Sequence, residues 1–318
     1  MNAPRACLGD DNGGIIAMNW TERFGTALLL SASFGTGLAA IRVGVGYFPP
    51  ITFTVLRLIV AAVAFLALLA VTHRRVRRES RFLVNVALLG MLGIGVPFIT
   101  AAFAMRLISS TLVAILLNLI PVFSVVLAHF FLPDEPLTWQ TVMGVTAAIF
   151  GASVVVWGSS GTVDVADNPQ AMWLGLLLIV FNSLSVACAN ILARRLKDED
   201  TLVVTGGQVL FGLTMVLPLA LLIEGRPELH GLAWQGWMAV LWAGLIGCFL
   251  GYATSFFMIS RFGVTFTSVA STATPLFTAV VGTVLLHEVV TPLMVVGALC
   301  LVGGVLTVNR ALTDPQQF

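Results

Sequence analysis

The polar side chains that could bind a ligand lie beside two prolines, at matched places in two copies of one stretch. Residues 111–157 align with residues 265–310. Pro121 then falls on Pro275, and because a proline has no N–H to donate, each one breaks an apolar helix and leaves a carbonyl group unpaired at mid-helix. The polar residues at helical spacing from the prolines are Thr111 and Asn118 in the first copy, and Thr265, Ser268 and Thr272 in the second. Neutral donors and acceptors among apolar walls would suit a small zwitterion or an amphipathic metabolite.

Further polar and aromatic residues could join these two faces in one pocket. Phe34 stands close to Thr36, and an aromatic ring beside hydroxyl groups is typical of a mixed apolar and polar binding site. The predicted substrate-binding residues are Phe34, Thr36, Thr100, Thr111, Asn118, Asn182, Tyr252, Ser268, Ser271 and Thr272. Packing is the alternative explanation: Asn182 could bond a neighbouring helix, small residues let helices approach closely, and the prolines could merely kink their helices.

The ionisable residues argue against an enzyme and against proton coupling. All fifteen acidic residues fall in a terminal tail, in a loop or at a helix end. We find no paired carboxylates within an apolar segment, no metal-ligand spacing and no nucleophile with a base, so we expect neither a cofactor nor a metal. A proton-driven carrier needs a titratable group in its cavity, and the lack of one predicts facilitated movement down the solute's own gradient. A membrane-embedded enzyme or a non-transporting scaffold remains the alternative of a different class.

The elements that carry these residues are predicted to be membrane-spanning helices. Of the 318 residues, 58% are hydrophobic and only 10% are charged, which indicates an all-α integral membrane protein. A span needs roughly 20 apolar residues. Ten segments qualify: 24–43, 49–71, 82–104, 109–131, 138–157, 171–191, 202–223, 234–257, 264–286 and 292–310. The net charge of +1 gives no indication of a nucleic-acid partner.

The basic residues set the predicted orientation, because loops rich in Lys and Arg stay in the cytosol. With a cytosolic N-terminus, the twelve inner basic residues are Arg5, Arg23, Arg74, Arg75, Arg77, Arg78, Arg81, Arg194, Arg195, Lys197, Arg261 and Arg310, and the three outer ones are Arg42, Arg106 and Arg226. Both termini are therefore predicted to be cytosolic. Five spans per half is an odd number, so the halves are expected to form inverted repeats with a site between them near the membrane midplane.

The predicted organisation is two repeats with a tail at each end. We expect a disordered tail over residues 1–20, a first repeat over 21–158, an external linker over 159–170, a second repeat over 171–310 and a C-terminal tail over 311–318. The expected partners are a small-molecule substrate and the lipid bilayer, without nucleic acid. A monomer is compatible with this organisation.

Four polar residues at matched places are expected to brace the two halves. Arg57 lies about two turns inside the second span, where a charge costs roughly 3 kcal/mol unless it snorkels or pairs. Gln208 has the matched place in the seventh span, and Glu135 and Glu288 match each other. We predict that Arg57 pairs with Glu288, and Gln208 with Glu135; a contact of Arg57 with substrate is the alternative. The predicted structural or gating residues are Pro121, Pro275, Arg57, Gln208, Glu135 and Glu288.

These segments together resemble the drug/metabolite transporter superfamily, in the branch whose members carry two EamA-type repeats. The resemblance runs from about residue 24 to residue 310. It is carried by Phe34-Gly35-Thr36, Leu56-Arg57-Leu58, Gly206-Gly207-Gln208 with Pro218, Gly251-Tyr252, Arg261-Phe262-Gly263, Thr274-Pro275-Leu276, Leu286-His287-Glu288 and Gly297. The family's usual Trp-Gly-Ser-Asn of the first span is here Phe34-Gly35-Thr36-Gly37.

The resemblance implies ten helices with both ends cytosolic, a location in the bacterial inner membrane and transport of metabolites such as amino acids. A buried Glu that exchanges a proton for a cationic drug, as in the small multidrug-resistance relatives, is missing from the spans. We therefore expect an exporter of amino acids, aromatic or hydrophobic ones in particular, that works by alternating access. A permease for another metabolite or for a drug is the alternative within the same class.

Overall fold

The described part of the chain is built from helices and their connections. The computed structural model describes residues 20–73, 79–131, 138–159, 169–193, 196, 199–226, 233–262 and 264–313. The helices are α1 (Trp20–Gly44), α2 (Pro50–Val71), α3 (Ser80–Gly90), α4 (Val96–Leu107), α5 (Ser110–Leu117), α6 (Ile120–Phe131), α7 (Trp139–Ser159), α8 (Pro169–Ala193), α9 (Thr201–Ile223), α10 (Trp234–Leu241), α11 (Gly251–Phe262), α12 (Val264–Ser271), α13 (Thr274–Leu285) and α14 (Pro292–Thr313). Glu135, most of both predicted tails and most of the predicted linker lie outside the described residues.

Eight of the helical segments are long and apolar enough to cross a membrane. They include the continuous segments Ser80–Leu107, Ser110–Phe131 and Trp234–Ile259, which each join two of the helices. Two shorter apolar stretches follow near the C-terminus: Val269–Leu285, within α12 and α13, and Pro292–Val308, within α14. The prediction of an all-helical integral membrane protein is confirmed at this level.

Both predicted proline breaks are present. A two-residue turn at Asn118 and Leu119 separates α5 from α6, and the equivalent turn at Thr272 and Ala273 separates α12 from α13. In each case the proline is the second residue of the following helix, where a missing N–H breaks no intrahelical hydrogen bond. The sequence around the two prolines therefore ends one helix and starts the next instead of kinking a single helix.

The two glycine-rich spans are also irregular at matched places. Residues Met91–Gly95 form π-helical turns between α3 and α4, and residues Trp242–Leu250 do so between α10 and α11. The alignment that pairs Pro121 with Pro275 also places Gly90 on Gly244. In these wider turns the backbone N–H and C=O groups are hydrogen-bonded less regularly. Within a membrane, such irregular backbone is tolerated where it faces protein or a water-filled cavity.

Helix α7 packs on α14 through glycines that the alignment relates to one another. A Cβ atom on Gly144 would lie 2.8 Å from the carbonyl oxygen of Gly304, and one on Gly297 would lie 2.7 Å from that of Gly151. Each contact joins a glycine of the first copy to a glycine of the second, and the alignment relates the two contacts to each other. We call such contacts crossed. Crossed contacts are expected when a two-fold axis relates the two halves.

Two further close contacts between helices also join one repeat to the other. A Cβ atom on Gly244 would lie 2.8 Å from the carbonyl oxygen of Arg57, and one on Gly90 would lie 2.8 Å from that of Gln208. Arg57 and Gln208 were matched from the sequence, so each repeat presents its irregular helix to the second helix of the other repeat. Helix α1 also crosses the Trp242–Leu250 turns closely, Gly37 against Gly247.

We predict that replacing Gly304 with alanine destabilises the protein, whereas the same change at its neighbour Gly303 does not. A Cβ on Gly304 would lie 2.5 Å from both the Ala148 nitrogen and the Gly144 oxygen, which are backbone atoms and cannot turn aside. A Cβ on Gly303 would meet nothing within 4 Å. Overpacking of this kind costs about 1–3 kcal/mol. Thermal unfolding of both variants in detergent checks the prediction, and equal melting temperatures would contradict it.

Three clusters of buried apolar side chains lie in the described part of the bundle, and two of them extend to the site. One includes Phe53, Leu112 and Leu301 and joins α2, α5 and α14. The other includes Leu58 and Val209 and joins α2 to α9. Residues of both clusters border the central cavity described next.

Candidate functional site

A cavity of about 250 Å³ lies at the two helix breaks. Its walls come from both repeats: Leu117, Asn118 and Ile120 at the first break, and Ser271 and Thr274 at the second. The predicted substrate-binding residues that line it are Phe34, Asn118, Asn182, Tyr252 and Ser271, and Arg57 lines it as well. The volume is somewhat below the roughly 300–1,000 Å³ of drug-sized ligand pockets and suits a small metabolite.

One wall of the cavity is aromatic. The rings of Phe34 and Tyr252 meet edge to face with their centroids 5.6 Å apart. Phe34 rests on Gly251, where a Cβ atom would lie 2.8 Å from its ring. Phe98 adds a third ring, which the sequence analysis missed although it follows Pro97 directly in a glycine-rich span. An aromatic or branched apolar group would pack well on this wall.

Arg57 lies in the cavity wall and has no acidic partner among the described residues. The residue is 3% exposed, and its guanidinium carbon is 3.9 Å from the centroid of the Phe98 ring. Its Nη2 is 3.5 Å from the carbonyl oxygen of Phe98, and its Nε has no hydrogen-bond partner. The predicted pair with Glu288 is wrong, because Glu288 uses its carboxylate elsewhere. The predicted partner of Gln208, Glu135, lies outside the described residues.

Glu288 caps the N-terminus of α5. Its Oε1 accepts hydrogen bonds from the N–H and the hydroxyl of Ser110, both at 2.7 Å. Its Oε2 accepts from the N–H of Thr111 at 3.0 Å and from the Thr111 hydroxyl at 2.7 Å. Gly282 makes room for this carboxylate, because a Cβ there would lie 2.5 Å from Oε2. Glu288 therefore braces the two repeats as expected, but through a helix end and not through Arg57.

The same end of the bundle carries three more charged caps, which the sequence analysis missed. Glu224 accepts hydrogen bonds from the N–H groups of Ile51 and Thr52, at 2.9 and 2.7 Å, at the start of α2. Arg106 donates to the carbonyl oxygens of Val45 and Phe48 at 3.1 and 3.0 Å, and Arg42 donates to that of Met105. We call this end, where α1 meets α2 and α4 meets α5, the capped end. Its four charged caps, Glu288, Glu224, Arg106 and Arg42, bond backbone groups at or near the helix ends.

Four of the predicted substrate-binding residues do not line the cavity. Each uses its hydroxyl group within the bundle: Thr111 bonds Glu288, Thr272 bonds the Val269 carbonyl at 2.6 Å, Thr100 bonds Val96 and Pro97, and Thr36 bonds Ala32. Thr36 also faces a separate, mostly apolar pocket of about 360 Å³, where it accepts from Trp242 Nε1. The side chains of Ser268 and Thr265 lie outside what the structure describes. Gln208 is not part of the cavity wall.

The two cavity asparagines differ in how their amide groups are used. Asn182 Nδ2 donates to the carbonyl oxygen of Pro97 at 2.6 Å and to Thr100 Oγ1 at 3.1 Å, so it ties α8 to α4. Asn118 is also buried, but its Nδ2 has no partner. Within the described residues no group of three His, Cys, Asp or Glu side chains could hold a metal ion. Among the described residues, the wall of this cavity contains no Asp, Glu or His.

Comparison with known proteins places this arrangement in a family. A profile of the EamA-like transporter family matches residues 24–157 and again residues 173–310. The uncharacterized transporter YoaV of Bacillus subtilis is 23% identical over 86% of this chain and 91% of its own length. A protein of Streptantibioticus cattleyicolor named a probable terminal-alkyne amino-acid exporter is 28% identical over 89% of this chain and 92% of its own. The uncharacterized inner membrane transporter YedA of Escherichia coli is 25% identical over 74% of each chain.

A solved structure shares the fold. It superposes with a TM-score of 0.64 at 19% identity and covers 92% of this chain and 97% of its own. The helical architecture therefore extends over nearly the whole length of both proteins.

Proposed function

Because the chain belongs to the EamA-like transporter family, we propose that it exports amino acids with apolar or aromatic side chains across the bacterial inner membrane by alternating access. The observation that carries the proposal is the central cavity, whose wall is built from both helix breaks and from both repeats. A site shared by two repeats can be exposed to one side or the other as the repeats rock against each other. A permease for another metabolite is the alternative within this family.

The proposed topology has ten spans in two inverted five-helix repeats, with both termini in the cytosol. In this proposal the eight long helices are the first eight spans, and the two shorter apolar stretches are the last two. The crossed glycine contacts and the excess of basic residues in alternate connections support this arrangement. The capped end then faces the outside.

The aromatic wall and the relative in Streptantibioticus cattleyicolor support the substrate class. Phe34, Phe98 and Tyr252 offer apolar surface of the kind that a hydrophobic amino-acid side chain covers. The relative is named a probable terminal-alkyne amino-acid exporter.

The two matched half-helices that border the cavity are packed unequally, which supports alternating access. Residues Ser110–Leu116 of α5, at the capped end, are all buried. In the matched helix α12, Val269 is 37% exposed and Ser271 is half-buried. Because the two repeats are related in sequence, we infer that the structure represents a state closed on the outer side. In the opposite state we expect α12 to be tightly packed and α5 to be packed less tightly.

The proposal includes facilitated transport without proton coupling. We expect proteoliposomes to show saturable counterflow of amino acids such as phenylalanine, with a rate nearly unchanged by a pH gradient in the absence of a membrane potential. The described residues of the cavity wall include no carboxylate or imidazole that could change charge during the cycle. Accumulation of solute against its gradient, driven by protons alone, would contradict the facilitative mechanism. Chemical turnover of a lipid or solute without counterflow would support an enzyme instead.

A further inference from the structure

We propose that the cavity recognises its ligand by a carboxylate, bound by Arg57 and Asn118, and that an ammonium group on the ligand is dispensable. The inference rests on the proposed transport function and specifies the chemistry of the same site. The ligand class is then small monocarboxylates with an apolar or aromatic group, of which amino acids are one part.

The first step is the hydrogen-bonding state of the cavity wall. In the described residues four buried side-chain polar atoms lack a partner: Ser33 Oγ, Arg57 Nε, Asn118 Nδ2 and Ser183 Oγ. Two of these atoms belong to residues of the cavity wall, and both are N–H donors. Buried donors are rarely left unpaired in the working state of a protein. The cavity therefore calls for a ligand that brings acceptors.

The positive charge of Arg57 also favours a ligand with a carboxylate. Arg57 lies deep within a membrane-spanning helix and forms no ion pair with any described carboxylate. Its contacts are two ring faces, those of Phe98 and Phe53, and one carbonyl oxygen at 3.5 Å. A buried cation needs a negative partner or strong acceptors, and the planar guanidinium matches a carboxylate through parallel hydrogen bonds. The missing anion is thus best supplied by the ligand.

The third step concerns the ammonium group of an amino acid. In the described part of the chain the cavity wall provides no carboxylate for it, but it does provide neutral oxygens such as that of the Asn182 amide and the faces of aromatic rings. A cation in the same small cavity would also meet the charge of Arg57. A monocarboxylate without an amine keeps the contact of its carboxylate with Arg57 and loses only contacts with neutral groups. An amine without a carboxylate loses the contact with Arg57 and is repelled by its positive charge.

A series of compounds of similar shape on the wild-type protein tests the inference without any substitution. The compounds are phenylalanine, 3-phenylpropionate, 2-phenylethylamine and phenylalanine amide. We expect the two carboxylates to stabilise the purified protein thermally and to compete in counterflow within roughly tenfold of each other. The amine and the amide should be about 100-fold weaker or inactive.

The outcomes separate this inference from the proposed function. Saturable counterflow in which the amine or the amide competes as well as phenylalanine would overturn carboxylate recognition and leave transport standing. Thermal stabilisation by both carboxylates without any solute movement would support the site and overturn the transporter proposal. Stabilisation by phenylalanine but not by 3-phenylpropionate would overturn the statement that the ammonium group is dispensable.

Substitution of Arg57 provides a second readout. Arg57→Met should remove the preference for carboxylates, and Arg57→Lys should retain part of it. Gln208→Met is the matched control, because it changes a polar side chain at the equivalent place outside the cavity, and it should keep the wild-type order of the four compounds.

The thiol of Cys248 reports the charge of the cavity independently of transport. Cys248 is a free cysteine of the cavity wall, and the other cysteines can be replaced by serine. An anionic methanethiosulfonate should modify Cys248 about tenfold faster than a cationic one of similar size, and Arg57→Met should abolish the difference. Faster reaction with the cationic reagent in the otherwise unchanged protein would contradict the inference.

Discussion

Replacing Glu288 with alanine is expected to destabilise the protein by about 3 kcal/mol or more and to abolish transport. The substitution leaves two N–H groups and two hydroxyl groups at the start of α5 without their acceptor, in a place that water does not reach. Loss of a charged, buried hydrogen-bond partner and of a helix cap both act in this direction. The measurements are thermal unfolding in detergent, where a fall of roughly 10 °C is expected, and counterflow in liposomes.

Glu22→Ala is the matched control for this prediction. The Glu22 carboxylate lies 3.5 Å from Arg261 Nε, but both side chains are more than one-third exposed. An exposed ion pair contributes about 0–1 kcal/mol, so this variant should unfold close to the wild-type temperature. Glu288→Gln should fall between the two, because its amide keeps one acceptor and adds N–H groups that face other donors. Wild-type stability and flux in Glu288→Ala would show that the cap is not needed to close this end.

The two cavity asparagines are expected to respond in opposite ways to aspartate. Asn118→Asp puts a negative charge into the cavity that holds Arg57, at a position whose Nδ2 has no partner to lose. The variant should be at least as stable as the wild-type protein, since the buried cation gains a counter-charge. Its affinity for 3-phenylpropionate should fall about 100-fold, which corresponds to about 2.7 kcal/mol, because the new carboxylate competes with that of the ligand.

Asn182→Asp should instead lower stability by about 1–3 kcal/mol. Its Nδ2 donates to Pro97 and Thr100, and a carboxylate oxygen in that place would face a carbonyl oxygen. Thermal unfolding and ligand-induced stabilisation of both variants, measured side by side, check the pair of predictions. Unchanged affinity for 3-phenylpropionate in Asn118→Asp would place its carboxylate away from Asn118.

The carboxylates that cap helices have partners far away in the sequence. Glu288 was matched to Glu135 from the sequence and was expected to brace the repeats through Arg57, whereas its carboxylate bonds Ser110 and Thr111. Its partners, Ser110 and Thr111, were not found, since 177 residues or more separate them from Glu288. Glu224 is 173 and 172 residues away from its partners Ile51 and Thr52 at the start of α2, and the internal repeat does not indicate these contacts.

The threonines illustrate a second limit. A threonine in a helix can satisfy its hydroxyl group on a carbonyl oxygen three or four residues earlier, and Thr100 and Thr272 do so. Their hydroxyls are then satisfied whether or not a cavity lies beside them. Spacing from a proline therefore indicated a shared face but not which members of that face reach the cavity.

The sequence by itself determined the helices, their breaks and the duplication. Apolar runs of span length and prolines without an N–H act mainly through local geometry, so their consequence for the helices can be derived from nearby residues. The tertiary structure alone decided the partners of the charges and the contents of the cavity. Arg57 and Gln208 hold equivalent places, yet only Arg57 lines the cavity. Successive residues of a helix point about 100° apart, so small rotations against neighbouring helices, set by packing far along the chain, choose the side chains that meet a ligand.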